Sequence, residues 1–246
     1  MEVELIREGL RDVSRGIDSI PALLVLTAAP SLRDAGVDVP DAPFSPEKRL
    51  YEIVATERGD GVHSHYNALI RSIVRARRAV DHVPVTAPLL REFMHTLETD
   101  GRVYLTGGAS AILLGWRDNT AAIDLKLVPP NERVLRSIAA AKERLGIGVE
   151  PPPRDGFIPE LPGWEQRSRL IDGPFFHFDF YSQCLTQLER DYQKDRNDVQ
   201  RMVDAGLVEP RRLRGLFDAI EPALICYPVI HPPAFRAAVE AFLARQ

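Results

Sequence analysis

Gly107 and Gly108 stand between the β-prone run VYLT and the helix-like run ASAILL, a place where the main chain turns from strand to helix. Glycine there lets the backbone approach a phosphate closely, and the amides that open the following helix suit an anion. The same pair also serves a strand-to-helix turn for conformational reasons alone. Ser110 follows in the first helical turn, and the next strand-like stretch carries Arg117, Thr120, Asp124 and Lys126, returning to the edge where the glycines lie. A guanidinium, a hydroxyl, a carboxylate and an ammonium are the groups that hold phosphates and hard cations. Further on, PFFHFDFY places Asp179 in an aromatic stretch, with His177 two residues earlier, on the same face of a strand. Arg190 and Lys194, spaced i and i+4, point either to phosphates or, with Asp195 and Asp198, to a solvated helix face.

The elements that must position these groups are legible from periodicity. Thr86 is placed to cap a helix through His95; VYLT is a strand, GGASAILLGW switches to helical spacing, and AIDLKLV is a second strand ending at Pro129 and Pro130. Asn131 then opens the helix NERVLRSIAAAKERLG, which Gly146 closes. RSRLI and PFFHFDFY read as strands, followed by the helices CLTQLERDYQKDRNDVQRMVDAG, PRRLRGLFDAI and PPAFRAAVEAFLARQ. Residues 85–246 are therefore an α/β core, with a small mixed sheet flanked by helices and a helical C-terminal tail.

Residues 1–84 read as a helical N-terminal region. Helical apolar spacing (Leu5, Leu10, Val13, Ile17) gives way to a proline-punctuated segment ending in the linker-like VDVPDAPFSP. SPEK at Ser45 opens a helix, because serine caps free amides, proline fits the first turn and Glu47 favours the positive dipole end. After the break at Gly59 to Gly61, Leu69, Ile70, Ile73 and Val74 form an apolar face, and Arg71, Arg75 and Arg78 line another. That basic stripe fits RNA or DNA, and equally a solvated helix face.

A chain of 246 residues, 45% hydrophobic and 27% charged, can bury a substantial core. Its net charge of −4 excludes a global basic field, so contact with nucleic acid must be local. Cys184 and Cys226 follow no metal-site spacing, no secretory leader is evident, and the apolar run Ile20 to Pro30 is shorter than the roughly 20 residues of a bilayer span. These features point to a reducing cytoplasm and away from membranes.

GGASAILLGWRDNTAAIDLK resembles the nucleotidyltransferase superfamily of the polymerase-β type, and most of all the AbiEii-type toxins of bacterial toxin–antitoxin systems and their relatives. Their pattern is a Gly-Gly turn, a short helix, then Arg-x-x-Thr-x-Asp-x-Asp-Leu-Lys. The likeness continues through Asp179 in PFFHFDFYSQCL, at the place of a third carboxylate, and through LTQLERDYQKDRNDVQRMVDAGLVEPRRL, so that it covers residues 85–246. It implies a nucleotidyltransferase-type fold and transfer of a nucleotide from a nucleoside triphosphate to tRNA, another RNA or a protein acceptor, with a cognate antitoxin as a partner. It implies Mg2+ or Mn2+ held by Asp124 and Asp179, and nucleotide contacts from Gly107, Gly108, Ser110, Arg117, Thr120, Lys126, Arg190 and Lys194. Two hard cations need several converging carboxylates, two of them on alternate residues of one strand.

Two positions depart from the pattern. Ala122 stands where the first aspartate of Asp-x-Asp belongs, and Gln187 stands where Leu-x-Lys-x-x-Arg has lysine. Losing a bridging carboxylate weakens both metal sites, so the implied enzyme is a poor catalyst or none. The alanine is either natural or an engineered inactivation, and a non-catalytic nucleotide- or partner-binding module is the competing expectation. A separate expectation is that residues 1–84 are a partner-like or antitoxin-like extension.

Overall fold

The computed structural model describes residues 2–59, 62–130, 132–150, 158–190 and 193–246, apart from a few side chains within helices. Contacts divide the chain into two compact units, Met1–His82 and Val83–Gln246.

The first unit is helical: α1 (Glu2–Ser14), α2 (Ile20–Thr27), α3 (Ala29–Asp34), α4 (Pro46–Arg58) and α5 (Val62–Val80). Its centre is α2, whose sequence IPALLVLT is apolar almost all round, as a helix packed on several sides must be. Leu23 and Leu24 are fully buried, together with Leu32, Leu50 and Val54. Gly9 is required by close approach, since a Cβ there would lie 2.4 Å from the Pro21 carbonyl. Ser45 caps α4 by accepting from the Lys48 amide at 3.4 Å, as the SPEK pattern predicts. Of the basic stripe on α5, the side chains of Arg75 and Arg78 lie outside the described residues, as do Asp60 and Gly61.

The second unit is α/β. Its elements run β1 (Val85–Thr86), α6 (Ala87–Thr96), β2 (Arg102–Thr106), α7 (Gly108–Leu113), β3 (Asn119–Thr120), β4 (Ala122–Val128), α8 (Glu132–Leu145), β5 (Gly148–Glu150) and α9 (Trp164–Arg167). They continue through β6 (Arg169–Asp172), β7 (Phe175–His177), α10 (Phe180–Arg190), α11 (Gln193–Asp204), α12 (Pro210–Ile220), a 3-10 turn at Glu221–Cys226 and α13 (Pro232–Leu243). The main sheet is mixed, in the order β5-β4-β2-β7-β6, and β1 pairs separately with β3. Strand β2 lies antiparallel to β4 and parallel to β7, and β4 lies parallel to β5. At the edge, β6 runs antiparallel to β7 with a bulge between Leu170 and Asp172.

Alternation along β2 feeds two cores. Val103 and Leu105 join Ile123, Leu125 and Phe175 against Leu90 and Phe93 of α6 and Val134 of α8. Tyr104 faces the other way, into a cluster with Trp164, Leu185, Phe217 and Phe235. Both sheet faces are thus covered by helices, and the strand cores are apolar on both sides.

Several sequence expectations need correction. PFFHFDFY is not one strand: β7 stops at His177 and α10 already starts at Phe180. The reason is Asp179, whose side chain accepts from the Tyr181 and Ser182 amides and so starts a helix where aromatic content suggested extension. The helix assigned from Cys184 onward therefore begins earlier, and α11 is a separate element. Strand β5 has no counterpart in the sequence reading. Thr86 occupies the N-cap of α6 but its hydroxyl makes no capping bond, and Asn131 lies outside the described residues. Among the described residues no helix is long and apolar enough to cross a membrane.

Candidate functional site

Strand β2 delivers the chain to the glycine turn, and β4 returns beside it. Gly107 has φ +55°, a left-handed value that only glycine adopts without strain, and it forms the N-cap of α7. Gly108 is required for a different reason: a Cβ there would fall 2.3 Å from Thr120 Oγ1 and 2.7 Å from Thr120 Cβ. Thr120 is buried and fills the space the second glycine leaves. We expect Gly108→Ala to cost about 1–3 kcal/mol by overpacking, with Thr120→Ala, which removes the nearest clashing atom, recovering part of the loss in urea melts of the double variant.

Asp124 pairs in register with Thr106 at the end of β2 and with Glu150 of β5. Its Oδ2 lies 3.4 Å from where a Cβ on Gly107 would be, so the structure brings this carboxylate to the glycine turn. Ala122, two residues earlier and hence on the same strand face, is buried and pairs with Gly148. Glu150, on the neighbouring parallel strand, is a carboxylate that sequence reasoning missed. A three-residue strand gives too little periodicity to reveal it.

The other candidates are held by partners elsewhere in the fold. Ser110 donates to the Leu105 carbonyl at 2.9 Å and meets His177 Nδ1 at 3.0 Å, deep under the turn. Lys126 pairs with Glu160, and its ammonium lies over the Trp164 ring, 4.1 Å from the centroid. Arg117 forms a buried ion pair with Asp198 of α11, and Arg201 of α11 donates to the Trp116 carbonyl. These contacts tie α11 to the loop that precedes β3. Burial pushes the Asp198 carboxyl above its ordinary range despite the guanidinium beside it. Arg190 lies 3.2 Å from Asp195 of α11. The side chain of Lys194 lies outside the described residues.

Asp179 is fully buried and occupied on every side. Arg167 grips it with two N–H groups, at 3.0 Å and 2.8 Å, and the Ser182 hydroxyl donates at 2.8 Å. With the two amides of the first turn of α10, these donors use the lone pairs that a cation would need. The residues present do not fit a cage for two hard cations. Among the described residues no group of three or more His, Cys, Asp or Glu side chains converges. Among the described residues, Asp124 stands beside the turn and Glu150 lies in register with it on β5.

Gln183 joins α10 to the glycine turn. Its Oε1 accepts from the Gly107 amide at 2.8 Å, while its Nε2 donates to the Phe178 carbonyl at 2.7 Å. His177 does not orient Asp179, because the strand has ended between them. It faces Ser110 instead, and burial, reinforced by the positive charge of Arg169, lowers its pKa from 6.5 to about 4. The folded state therefore holds this imidazole neutral where the unfolded chain binds a proton. Its contribution to stability is complete above pH 6.5 and is lost as the pH falls toward 4. We expect this one group to remove up to about 3 kcal/mol over that window. The difference in pH dependence between the native chain and His177→Asn, from urea melts, isolates the effect.

Comparison of the chain with protein-family models, with curated proteins and with solved structures finds no match.

Proposed function

We propose that this chain is a nucleotidyltransferase-like protein of the polymerase-β type, derived from the toxin of a bacterial toxin–antitoxin pair and working in the cytoplasm. Its ancestral reaction moves a nucleotide from a nucleoside triphosphate to tRNA, another RNA or a protein, with Mg2+ or Mn2+. The chain as written binds without turning over. The observation that carries this reading is the register of β2 and β4, which sets Asp124 beside the Gly107 turn and puts Ala122 on the same strand face. In-line transfer needs more than one carboxylate to hold two cations, and here the second position of the strand is a methyl group. The commitment of Lys126, Arg117, Arg190 and Asp179 to internal partners favours the same reading: these side chains act as framework.

Isothermal calorimetry of the unaltered chain with each of the four ribonucleoside triphosphates, with and without Mg2+, tests the proposal. Saturable binding of a triphosphate, with no labelled nucleotide transferred to RNA or protein, is the expected result. Transfer at a rate typical of an enzyme would refute the non-catalytic reading. Absence of triphosphate binding in both this chain and Ala122→Asp would remove the nucleotidyltransferase reading itself.

A further inference from the structure

The join between α12 and α13 is apolar and faces outward. Residues 222–230 read PALICYPVI and carry no charged side chain. Leu224 and Ile230 turn inward, into the core that holds Phe217 and Phe235. Pro222, Ala223, Ile225, Cys226, Pro228 and Val229 are exposed, Ile225 to 85% and Val229 to 45%. Among the described residues no large apolar side chain is more exposed than Ile225. Successive turns fix the shape of the segment: the Tyr227 amide donates to the Leu224 carbonyl and the Ile230 amide to the Tyr227 carbonyl, each at 2.9 Å. Single exposed apolar side chains are ordinary on a protein surface, whereas a continuous run of them marks a contact. Held by two buried anchors, this run loses little entropy when a partner covers it.

The charges at its borders bear on what covers it. Glu221, which precedes the segment, pairs with Arg236 of α13, and Arg236 and Arg214 both pair with Glu240, so these acids and bases cancel. His231, which follows the segment, uses its ring Nδ1 to cap α13. A strongly basic or acidic partner finds no charge on the segment to meet. For a second copy of this chain that neutrality is a requirement. A two-fold contact sets a patch against itself, and any unbalanced charge on it would face its like. The chain carries −4 in all, so two copies repel at long range and a contact between them belongs where the local charge is nil.

We infer that residues 222–230 form the centre of a two-fold contact between two copies of this chain, with Ile225 and Val229 of each copy packed against the same segment of the other. The segment is shorter than the roughly 20–30 residues a side of a standard interface, so the dimer is weak and reversible, with a dissociation constant in roughly the micromolar range. Because the contact is self-complementary, it closes at two copies and does not propagate. It goes beyond the proposed transferase descent and does not depend on it, since it needs neither a nucleotide nor a cation.

Sedimentation velocity of the full chain under reducing conditions, from about 1 µM to about 1 mM, tests it. A shift from monomer to dimer as concentration rises, with no larger species, is expected. Ile225→Asp sets like charges against each other in apolar surroundings and should weaken the dimer about a hundredfold. Its side chain is exposed in the single chain, so the thermal midpoint at the lowest concentration should match that of the unaltered protein. Leu170→Asp, which removes an exposed leucine from the edge of the main sheet, should dimerise as the unaltered chain does. Alkylation by iodoacetamide gives an independent reading, because Cys226 is exposed and Cys184 is buried. The rate at Cys226 should fall with the monomer fraction in the unaltered chain and stay constant in Ile225→Asp. A monomer throughout the range overturns the inference and leaves the segment to a different protein. Dimerisation that Ile225→Asp leaves intact, or that Leu170→Asp abolishes, overturns it too, as does a Cys226 alkylation rate indifferent to concentration. Calorimetry with triphosphates reads the transferase proposal separately, so either can fail alone.

Discussion

Asp179→Ala is expected to lower the free energy of unfolding by about 3–5 kcal/mol, the cost of leaving a buried charge without its partner. The stranded group is Arg167, whose side chain is 12% exposed and whose guanidinium makes two bonds to the lost carboxylate. Removal of the N-cap of α10 adds about 1 kcal/mol. Asp179→Asn separates the two contributions, since asparagine caps a helix well but carries no charge; it should recover the capping part and not the rest. Urea denaturation of the three proteins at neutral pH measures this directly. A carboxylate that serves a cation behaves in the opposite way, because its removal relieves repulsion and leaves the fold intact. A stability loss under 1 kcal/mol in Asp179→Ala would therefore return Asp179 to the list of metal ligands.

Ala122→Asp should produce a protein that responds to divalent cations where the unaltered chain does not. The new carboxylate enters a buried strand position on the face of Asp124, next to the strand that carries Glu150. Without a cation, like charges at this spacing oppose ionisation and should cost about 1–3 kcal/mol. Mg2+ or Mn2+ at a hundredfold excess over its dissociation constant would restore about 2.7 kcal/mol by linkage. Thermal unfolding in EDTA and in each cation gives the readout, and labelled-nucleotide transfer gives a second. A variant indifferent to both cations would mean that Asp124 and its neighbours do not form a metal site even when the second carboxylate is present.

The parts of this fold that were legible in the sequence are those whose information is local. VYLT declares a strand by its β-prone residue types and AIDLKLV by its alternation, and the left-handed turn at Gly107 has a residue type suited to its geometry. Asp124 beside that turn follows from the two strands being antiparallel neighbours. What was hidden depends on contacts between distant positions. The Arg117–Asp198 pair joins residues 81 apart, and no spacing rule announces that a surface-looking arginine is buried against another helix. Lys126 reads as a phosphate ligand until Trp164, 38 positions later, is seen beneath its ammonium. Asp179 misled for a local reason: the aromatic residues around it favour extension, and the capping preference of its own side chain outweighs them. Gln187, where the resembling family has lysine, is buried, with no donor to its Oε1 among the described residues. The structure offers no account of that choice.

The bulge between Leu170 and Asp172 bears on how the protein behaves when crowded with copies of itself. Strand β6 is the outer strand of the main sheet, and Leu170 on it is 65% exposed, a combination that normally invites another chain to add a strand. The bulge breaks the regular spacing of free amides and carbonyls along that edge, and the charged side chains of Arg169 and Asp172 flank the exposed leucine. An incoming strand would lose register after a residue or two. The irregularity therefore protects the sheet against edge-to-edge polymerisation, and the exposed leucine carries little risk of fibre formation.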